Sequence, residues 1–332
     1  MNRKWRVVIG TAVLALALAA CGSSDKEGAS SDTTAAGGGA KDFSGTITLA
    51  VNPWDGSEAN ANVAKIVLEK QGMTVNLKKI DENGAWPALD SDSIDANLEV
   101  WPSGHAKDFA TYVTQKKSVV DGGLLGVTGQ IGWYVPKFVV DEHPEFATWE
   151  GLKSQEAADY FKTAETGDQG QFLLGDPSYV SYDADIIKNL DLPFKVVVGG
   201  SEATLITQLD NALKDKTPLL FYFYNPQWAN AKYDLVKVQL PAITPECTKS
   251  AEGQGKDHKY ACAYPPDHLF KAISTKLESK NAGAFDFLEK MKWTDNDQNT
   301  VTKYKNVDGM TIAAAAQKWV DENESVWKAW LS

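Results

Sequence analysis

Aromatic side chains stand at the ends of several predicted strands. The segment FYFYNPQW (221–228) places five rings in eight residues of a chain that is 10% aromatic overall, and its strand is predicted to end at Tyr224. Other rings near predicted strand ends are Trp54, Trp101, Trp133 and Tyr179. A trimethylammonium group cannot donate a strong hydrogen bond, so several ring faces must hold it, each contributing about 0.5–2 kcal/mol. The rings therefore predict a cavity for a small methylated cation rather than for a sugar.

The elements that must position these rings follow an α/β pattern. Predicted strands at 45–51, 73–80 and 95–101 alternate with helical segments, and a second such series runs from 129 to 224. This alternation predicts mostly parallel sheets flanked by helices, with ligands bound at the carboxyl ends of the strands. Roughly 290 residues follow the N-terminal segments, which exceeds the usual size of a single core, so two lobes are expected.

The N-terminus has the features of a secretion signal. Basic residues precede a short apolar run over 7–20, and Leu-Ala-Ala-Cys closes it. This ending resembles the lipobox of bacterial lipoproteins, which implies a signal peptide over 1–20 and a lipid on Cys21. The Gly- and Ser-rich segment 21–44 is predicted to be a flexible tether. We expect an extracytoplasmic chain anchored to the membrane by Cys21; the alternative is ordinary secretion with a chance cysteine.

Charge and cysteine content narrow the partners. The formal charge is −11, and loss of the three basic residues of the signal peptide makes it −14. Such a surface repels nucleic acid and anionic lipid but not a small cation, so no nucleic-acid partner is expected and the membrane is contacted through the lipid only. With Cys21 lipidated, Cys247 and Cys262 form an even pair, and a disulfide contributing about 3 kcal/mol is predicted. A metal site with His258 and His268 lacks a standard zinc spacing, so no metal or cofactor is expected.

The sequence shows no catalytic constellation. It contains no G-x-S-x-G elbow, no P-loop and no H-E-x-x-H motif. Ser103 and His105 are two residues apart on a predicted turn, which is weak support for a nucleophile and its base. We therefore predict no enzyme and no catalytic residue; a secreted hydrolase or a structural lipoprotein is the alternative outside the receptor class.

Three motifs carry a resemblance that covers nearly all of the chain from about residue 45. They are VWPSGH (100–105), GDPSY (175–179) and YNPQW (224–228). With them the chain resembles the glycine betaine and proline betaine receptors of bacterial ABC importers. The resemblance implies a periplasmic-binding-protein type II fold, capture of a quaternary ammonium compatible solute, and delivery to a membrane permease driven by a separate ATPase.

The resemblance also assigns roles to residues. It implies that the aromatic cage is formed by Trp101, Tyr179 and Tyr224. It implies that the ligand carboxylate is held by His105 and by the backbone amides of Val180 and Ser181; helix N-termini favour anions. Trp133 is a further candidate for the ligand site.

Two features depart from betaine receptors. Trp54 and Asp55 on the first loop resemble the choline receptors of the same superfamily, and an inward-facing Asp55 or Glu99 would favour a plain cation over a zwitterion. The alternative for both carboxylates is a solvated loop or cap position. Gln227 stands where some members have His. Choline, carnitine and ergothioneine are therefore alternatives to glycine betaine.

The order of motifs predicts how the chain divides. One lobe is expected to comprise 45–132 and 241–332, and the other 133–240. Two crossings, near Trp133 and Pro241, would form the hinge on which the lobes close around the ligand. We expect a monomer.

Overall fold

The computed structural model describes residues 43–249 and 259–332. The predicted signal peptide, the lipidated Cys21, almost all of the predicted tether and His258 lie outside the described residues.

A mixed α/β fold surrounds one continuous sheet, so the predicted fold class is confirmed. Its strands are β1 (Thr46–Val51), β2 (Thr74–Lys79), β3 (Ala96–Val100), β4 (Val119–Pro136), β5 (Gly170–Leu174), β6 (Phe194–Val198), β7 (Phe221–Asn225), β8 (Leu235–Lys237) and β9 (Asp267–Ser274). Their order is β2-β1-β3-β9-β4-β7-β5-β6, with β8 beside β4. β1 pairs in parallel with β2 and β3, and β5 pairs in parallel with β6 and β7. The pairs made by β4 and β9 are antiparallel.

Helices connect the parallel strands. They are α1 (Asp55–Lys70), α2 (Glu82–Asp90), α3 (Ala106–Asp108), α4 (Lys137–Glu142), α5 (Gln155–Phe161), α6 (Asp183–Asn189), α7 (Glu202–Asp215), α8 (Ala229–Lys232), α9 (Pro245–Lys249), α10 (Lys276–Lys280), α11 (Ala282–Lys290), α12 (Asp295–Asn306), α13 (Ile312–Glu322) and α14 (Glu324–Lys328). A π-helical segment, Phe109–Gln115, continues α3. Within the described ranges, none of these helices has the length and apolar character needed to cross a bilayer.

Local sequence explains where the helices that border the site begin. The Asp81 side chain accepts a hydrogen bond from the Gly84 amide and caps α2, which places Glu82 in its first turn. The Ser201 side chain likewise accepts from the Thr204 amide and caps α7, which places Glu202 first. Both helices follow directly on a parallel strand, so their first residues lie at the carboxyl edge of the sheet.

β4 and β9 join the two parallel halves of the sheet. The first part of β4 pairs with β9, and its last part, from Gln130, pairs with β7 and β8. β9 has no counterpart among the strands predicted from the sequence, and its segment DHLFKAIS carries charged residues. Lys271 of this segment is fully buried. Its Nζ donates hydrogen bonds to the carbonyls of Glu289 and Met291, both at 2.7 Å, and these bonds replace the water that the ammonium group loses. The predicted lobe boundary at 132/133 falls inside β4, and the two lobes with their hinge stay a prediction.

The C-terminal tryptophans belong to the core. Trp319, Trp327 and Trp330 are all buried, and Trp319 stacks on Trp330 with ring centroids 6.1 Å apart. The helical C-terminal segment is divided at Asn323 into α13 and α14.

Cys247 and Cys262 are joined by a disulfide in the structure. It links the middle of α9 to the segment before β9, and Cys262 is buried beside Tyr260 and Tyr264 in the main core.

Candidate functional site

A cavity of about 30 Å³ lies at the carboxyl ends of the parallel strands. Five aromatic rings line it, together with one carboxylate side chain and small residues: Trp54, Glu82, Trp101, Ser103, Gly104, Ile131, Tyr179, Val180, Tyr222 and Tyr224. Ligand pockets for larger molecules have volumes of about 300–1,000 Å³. The cavity is much smaller than these pockets, and half of its lining residues are aromatic.

The rings meet across the two predicted lobes. Trp101 and Tyr224 are in edge-to-face contact with centroids 5.5 Å apart, and Trp54 meets Tyr179 in the same way at 5.9 Å. Tyr222 lies 5.7 Å from Tyr179. Four of the rings that sequence singled out, or placed at a strand end, are thus brought together. Their role as a ligand cage stays a prediction.

Glu99 fixes the two tryptophans from behind. Its Oε1 accepts hydrogen bonds from the indole N–H groups of Trp54 at 2.7 Å and Trp101 at 3.1 Å, and its Oε2 accepts from Asn60 at 2.7 Å. The side chain is fully buried, and burial raises the pKa of Glu99 to about 7 despite these donors. Glu99 faces inward but does not line the cavity; it accepts hydrogen bonds from the two tryptophans that do. It orients the rings.

Two glycines allow the rings and loops to approach closely. A Cβ at Gly129 would stand 2.2 Å from Cζ3 of Trp101, so the indole lies directly on the backbone of β4. A Cβ at Gly104 would stand 2.9 Å from Cγ1 of Val180, where the two loops meet. Any larger residue at either position would push the opposing side chain away.

Glu202 holds Tyr224 from the other side. It accepts a short hydrogen bond from the Tyr224 hydroxyl, a bond from the Asp55 amide at 2.8 Å and one from Gln227 Nε2 at 3.2 Å. Burial, and secondarily the Asp55 carboxylate, raise the pKa of Glu202 well above its ordinary value.

Asp55 does not reach the cavity, contrary to the expectation from its place on the first loop. Its carboxylate is paired with Lys305 Nζ at 2.7 Å and accepts from Asn306 at 2.7 Å and from the indole of Trp228 at 3.3 Å. The Asp55 carboxylate instead joins α1 to α12, and its negative charge is offset by Lys305. It lines a wider neighbouring groove of about 740 Å³.

Glu82 lines the cavity and is tightly held. Its Oε1 accepts from the Val180 amide at 2.6 Å, and its Oε2 contacts His105 Nε2 at 3.0 Å. His105 also contacts Asp108 through Nδ1 at 2.9 Å. Burial lowers the pKa of His105, but the hydrogen bonds to Asp108 and Glu82 outweigh burial and raise the pKa to about 9. The raised pKa favours the imidazolium form, in which Nε2–H faces Glu82 and Nδ1–H faces Asp108; the indole N–H of Trp86 also lies 3.1 Å from Nδ1.

Three residues expected to bind ligand lie elsewhere. His105 is 1% exposed and does not line the cavity; its Nε2 contacts Glu82, which does. Trp133 does not line the cavity. It is fully buried against Phe172, and its indole donates to Asp183 at 2.7 Å. Ser181 is not among the lining residues; its side chain bonds Asp183. The Val180 backbone does border the cavity, although its amide bonds Glu82.

Sequence reasoning missed Glu82, Tyr222 and Glu202. The signal for Tyr222 was available, because the period of two in β7 puts it on the same face as Tyr224. Glu82 and Glu202 had a weaker signal, since each is the first residue of a helix that follows a strand.

The wider groove is predominantly acidic. Its charged lining residues are Asp55, Glu58, Lys79, Asp81, Asp176, Glu202 and Lys305. Trp54 belongs to the linings of both the groove and the cavity, so the two adjoin. An acidic approach of this kind raises the local concentration of a small cation.

One group in the described part of the chain has the spacing of metal ligands. Atoms of His143, Glu145 and Glu156 lie within 4.8 Å of one another at the surface. His143 Nδ1 and Glu145 Oε1 are 3.1 Å apart and form an ion pair when the imidazole is charged. His268 contacts Thr128 Oγ1 at 3.3 Å.

The family to which the chain belongs defines it as a solute-binding protein. Residues 45–322 match the model of the OpuAC family, the substrate-binding domain of ABC-type glycine betaine transport systems, and the chain belongs to this family. Members of this family bind solutes for ABC transport and are not enzymes. The chain is thus a substrate-binding protein of the family that serves ABC-type glycine betaine transport systems.

Individual relatives are distant in sequence. The chain is 25% identical over 297 residues, 87% of its length, to the trimethylamine N-oxide-binding protein of Pelagibacter ubique (strain HTCC1062), of which 91% is covered. Lactococcal OpuAC in its closed, glycine betaine-bound conformation has a TM-score of 0.66 at 20% identity, over 86% of this chain and 99% of that one. A choline-binding protein of an ABC transporter, in complex with choline, has a TM-score of 0.68 at 16% identity, over 86% and 91% of the two chains. These two likenesses establish the fold, which is of the periplasmic-binding-protein type II.

Proposed function

We propose that the protein captures a small solute with a methylated ammonium group in the cavity between Trp54, Trp101, Tyr179, Tyr222 and Tyr224, and delivers it to the permease of an ABC importer. Glycine betaine and related quaternary ammonium solutes, including choline, carnitine and ergothioneine, share this head group. The lipid on Cys21 would keep the receptor beside its permease.

The observation that carries the proposal is the convergence of five rings on one small cavity. Each ring face attracts a cation by about 0.5–2 kcal/mol, depending on how far the cation is desolvated. Edge-to-face contacts between the rings, and the bonds from Glu99 and Glu202 to Trp54, Trp101 and Tyr224, hold the walls in place.

The mechanism requires no chemistry on the ligand. Rings from 45–132 and from 133–240 meet in the structure, so a ligand enters only if these parts separate and then close again. Closure removes the solute from water and creates a surface that the permease can recognise.

Calorimetry of the purified, ligand-stripped protein tests the proposal. We expect at least one of choline, glycine betaine, carnitine and tetramethylammonium to bind with a Kd at or below about 10 μM, which corresponds to about 7 kcal/mol. Maltose and L-alanine serve as controls without a methylated nitrogen and should give no heat of binding. If no methylated ammonium compound binds while the protein is folded, the proposal is wrong.

A second candidate is trimethylamine N-oxide. It is favoured by the relative in Pelagibacter ubique, whose name records that ligand and which is similar over most of both chains. This solute carries the same three methyl groups on its nitrogen. Its addition to the calorimetric panel distinguishes it from the other solutes.

A further inference from the structure

A carboxylate of the protein occupies the place where a ligand carboxylate would be expected. Glu82 borders the cavity, is 7% exposed, and comes from the first turn of α2. Its two oxygens use the Val180 amide at 2.6 Å and His105 Nε2 at 3.0 Å. These are two of the three donors that the resemblance to betaine receptors assigns to a carboxylate of the ligand.

We propose that Glu82 replaces the carboxylate of a betaine, so that the receptor selects methylated ammonium cations that carry no carboxylate of their own, such as choline. The inference rests on the proposed function, since it concerns the ligand of the same cavity.

Other donors around the cavity are also committed to protein acceptors. Both the amide and the hydroxyl of Ser103 donate to Asp267, at 2.8 and 2.7 Å. The hydroxyl of Tyr179 donates to the Pro53 carbonyl at 3.3 Å, and that of Tyr224 donates to Glu202. An incoming carboxylate would thus find few donors to replace its water, and desolvation without compensation disfavours it strongly.

The charge at the cavity points the same way. The carboxylates of Glu82 and Asp108 flank the single imidazole of His105, so negative charge exceeds positive charge beside the rings. A cation gains attraction from this charge, whereas the carboxylate of a zwitterion is repelled by Glu82. Like charges placed opposite each other are a recognised source of discrimination between ligands.

Calorimetric titration of choline and glycine betaine separates this inference from its alternatives. The wild-type protein is expected to bind choline at least about tenfold more tightly, because a like-charge contact costs more than a tenfold change in affinity. Glu82→Gln preserves the size of the side chain and removes its charge, so the ratio of the two affinities should fall at least about fivefold. Glu82→Asp keeps the charge and should retain the preference for choline.

Asp81→Asn is the matched control. Asp81 is the neighbouring acidic residue, it is exposed, and Asn caps a helix about as well as Asp. This variant removes the same charge from the groove and should leave the ratio unchanged within about twofold. Thermal unfolding of each variant verifies that it is folded. The ratio of choline to glycine betaine affinity in the wild-type protein tests the inference even if a variant does not fold.

Two results would overturn the inference while the proposed function stands. One is wild-type protein that binds glycine betaine as tightly as choline, which would mean that Glu82 moves aside for the ligand. The other is a Glu82→Gln ratio equal to that of Asp81→Asn, which would limit Glu82 to a packing role. Failure of every methylated ammonium compound to bind would instead reject the proposed function itself.

Discussion

The attraction between ring faces and a cation can be isolated at Trp101. Trp101→Phe and Trp101→Leu both remove the indole N–H that donates to Glu99 at 3.1 Å, so that loss is common to the two variants. Only the first retains an aromatic face toward the cavity. The difference in affinity between the two therefore reports the ring and not the lost hydrogen bond.

The expected difference follows from the environment of the site. Trp101 is 7% exposed and stands against Tyr224, so a bound cation would be largely desolvated and the contribution of one ring lies near the upper part of its range, about 1–2 kcal/mol. This corresponds to roughly a 5- to 30-fold weaker Kd for Trp101→Leu than for Trp101→Phe.

Calorimetry of both variants with choline and with its neutral carbon analogue, 3,3-dimethyl-1-butanol, forms a cycle of two variants and two ligands. The cycle isolates the attraction between the ring and the positive charge. The analogue has the same shape and no charge, so its affinity should differ between the two variants by less than about twofold. If choline also binds the Phe and Leu variants equally, and both unfold at similar temperatures, the cation–π reasoning is refuted.

Three further predictions concern the surroundings of the cage. Gly129→Ala places a Cβ 2.2 Å from the Trp101 ring and should weaken binding at least about tenfold in calorimetry; unchanged affinity would mean that the indole can shift without cost. Tyr224→Phe keeps the ring but leaves Glu202 without its hydroxyl donor, so urea denaturation should show a loss of about 1–3 kcal/mol, and no loss would contradict the bond. Burial raises the pKa of Glu99 to about 7, so above about pH 4.5 the folded state keeps a proton that the unfolded chain releases. The stability that comes from this difference is complete below about pH 4.5 and is lost as the pH rises through 7. Denaturation midpoints that do not fall from about pH 5 to about pH 8 would contradict this prediction.

Much of the site could be predicted from the sequence because its rings end strands. Trp54, Trp101, Tyr179 and Tyr224 each follow or terminate a strand of a parallel unit, and such ends meet at one edge of a sheet. Their types and positions are local features that a single sequence displays. The α/β class followed from the same alternation of strands and helices.

The parts that sequence reasoning missed depend on long-range pairing. β9 lies between β3 and β4, and its charged Lys271 is satisfied by carbonyls that only the folded chain brings near. Glu82 looked like an ordinary acidic residue in a first helical turn, where carboxylates are common. Its contact with Val180 joins residues 98 positions apart, and no local pattern encodes that distance.

The shared acceptor beneath the tryptophans has a consequence for affinity. One oxygen of Glu99 receives both indole N–H groups, so the orientation of Trp54 and Trp101 is set when the chain folds and not when the solute arrives. Each large side chain that must be immobilised on binding would otherwise cost about 0.5–1.5 kcal/mol. Preorganisation of this kind lets a ligand with very few atoms retain most of the attraction it gains from the surrounding π faces.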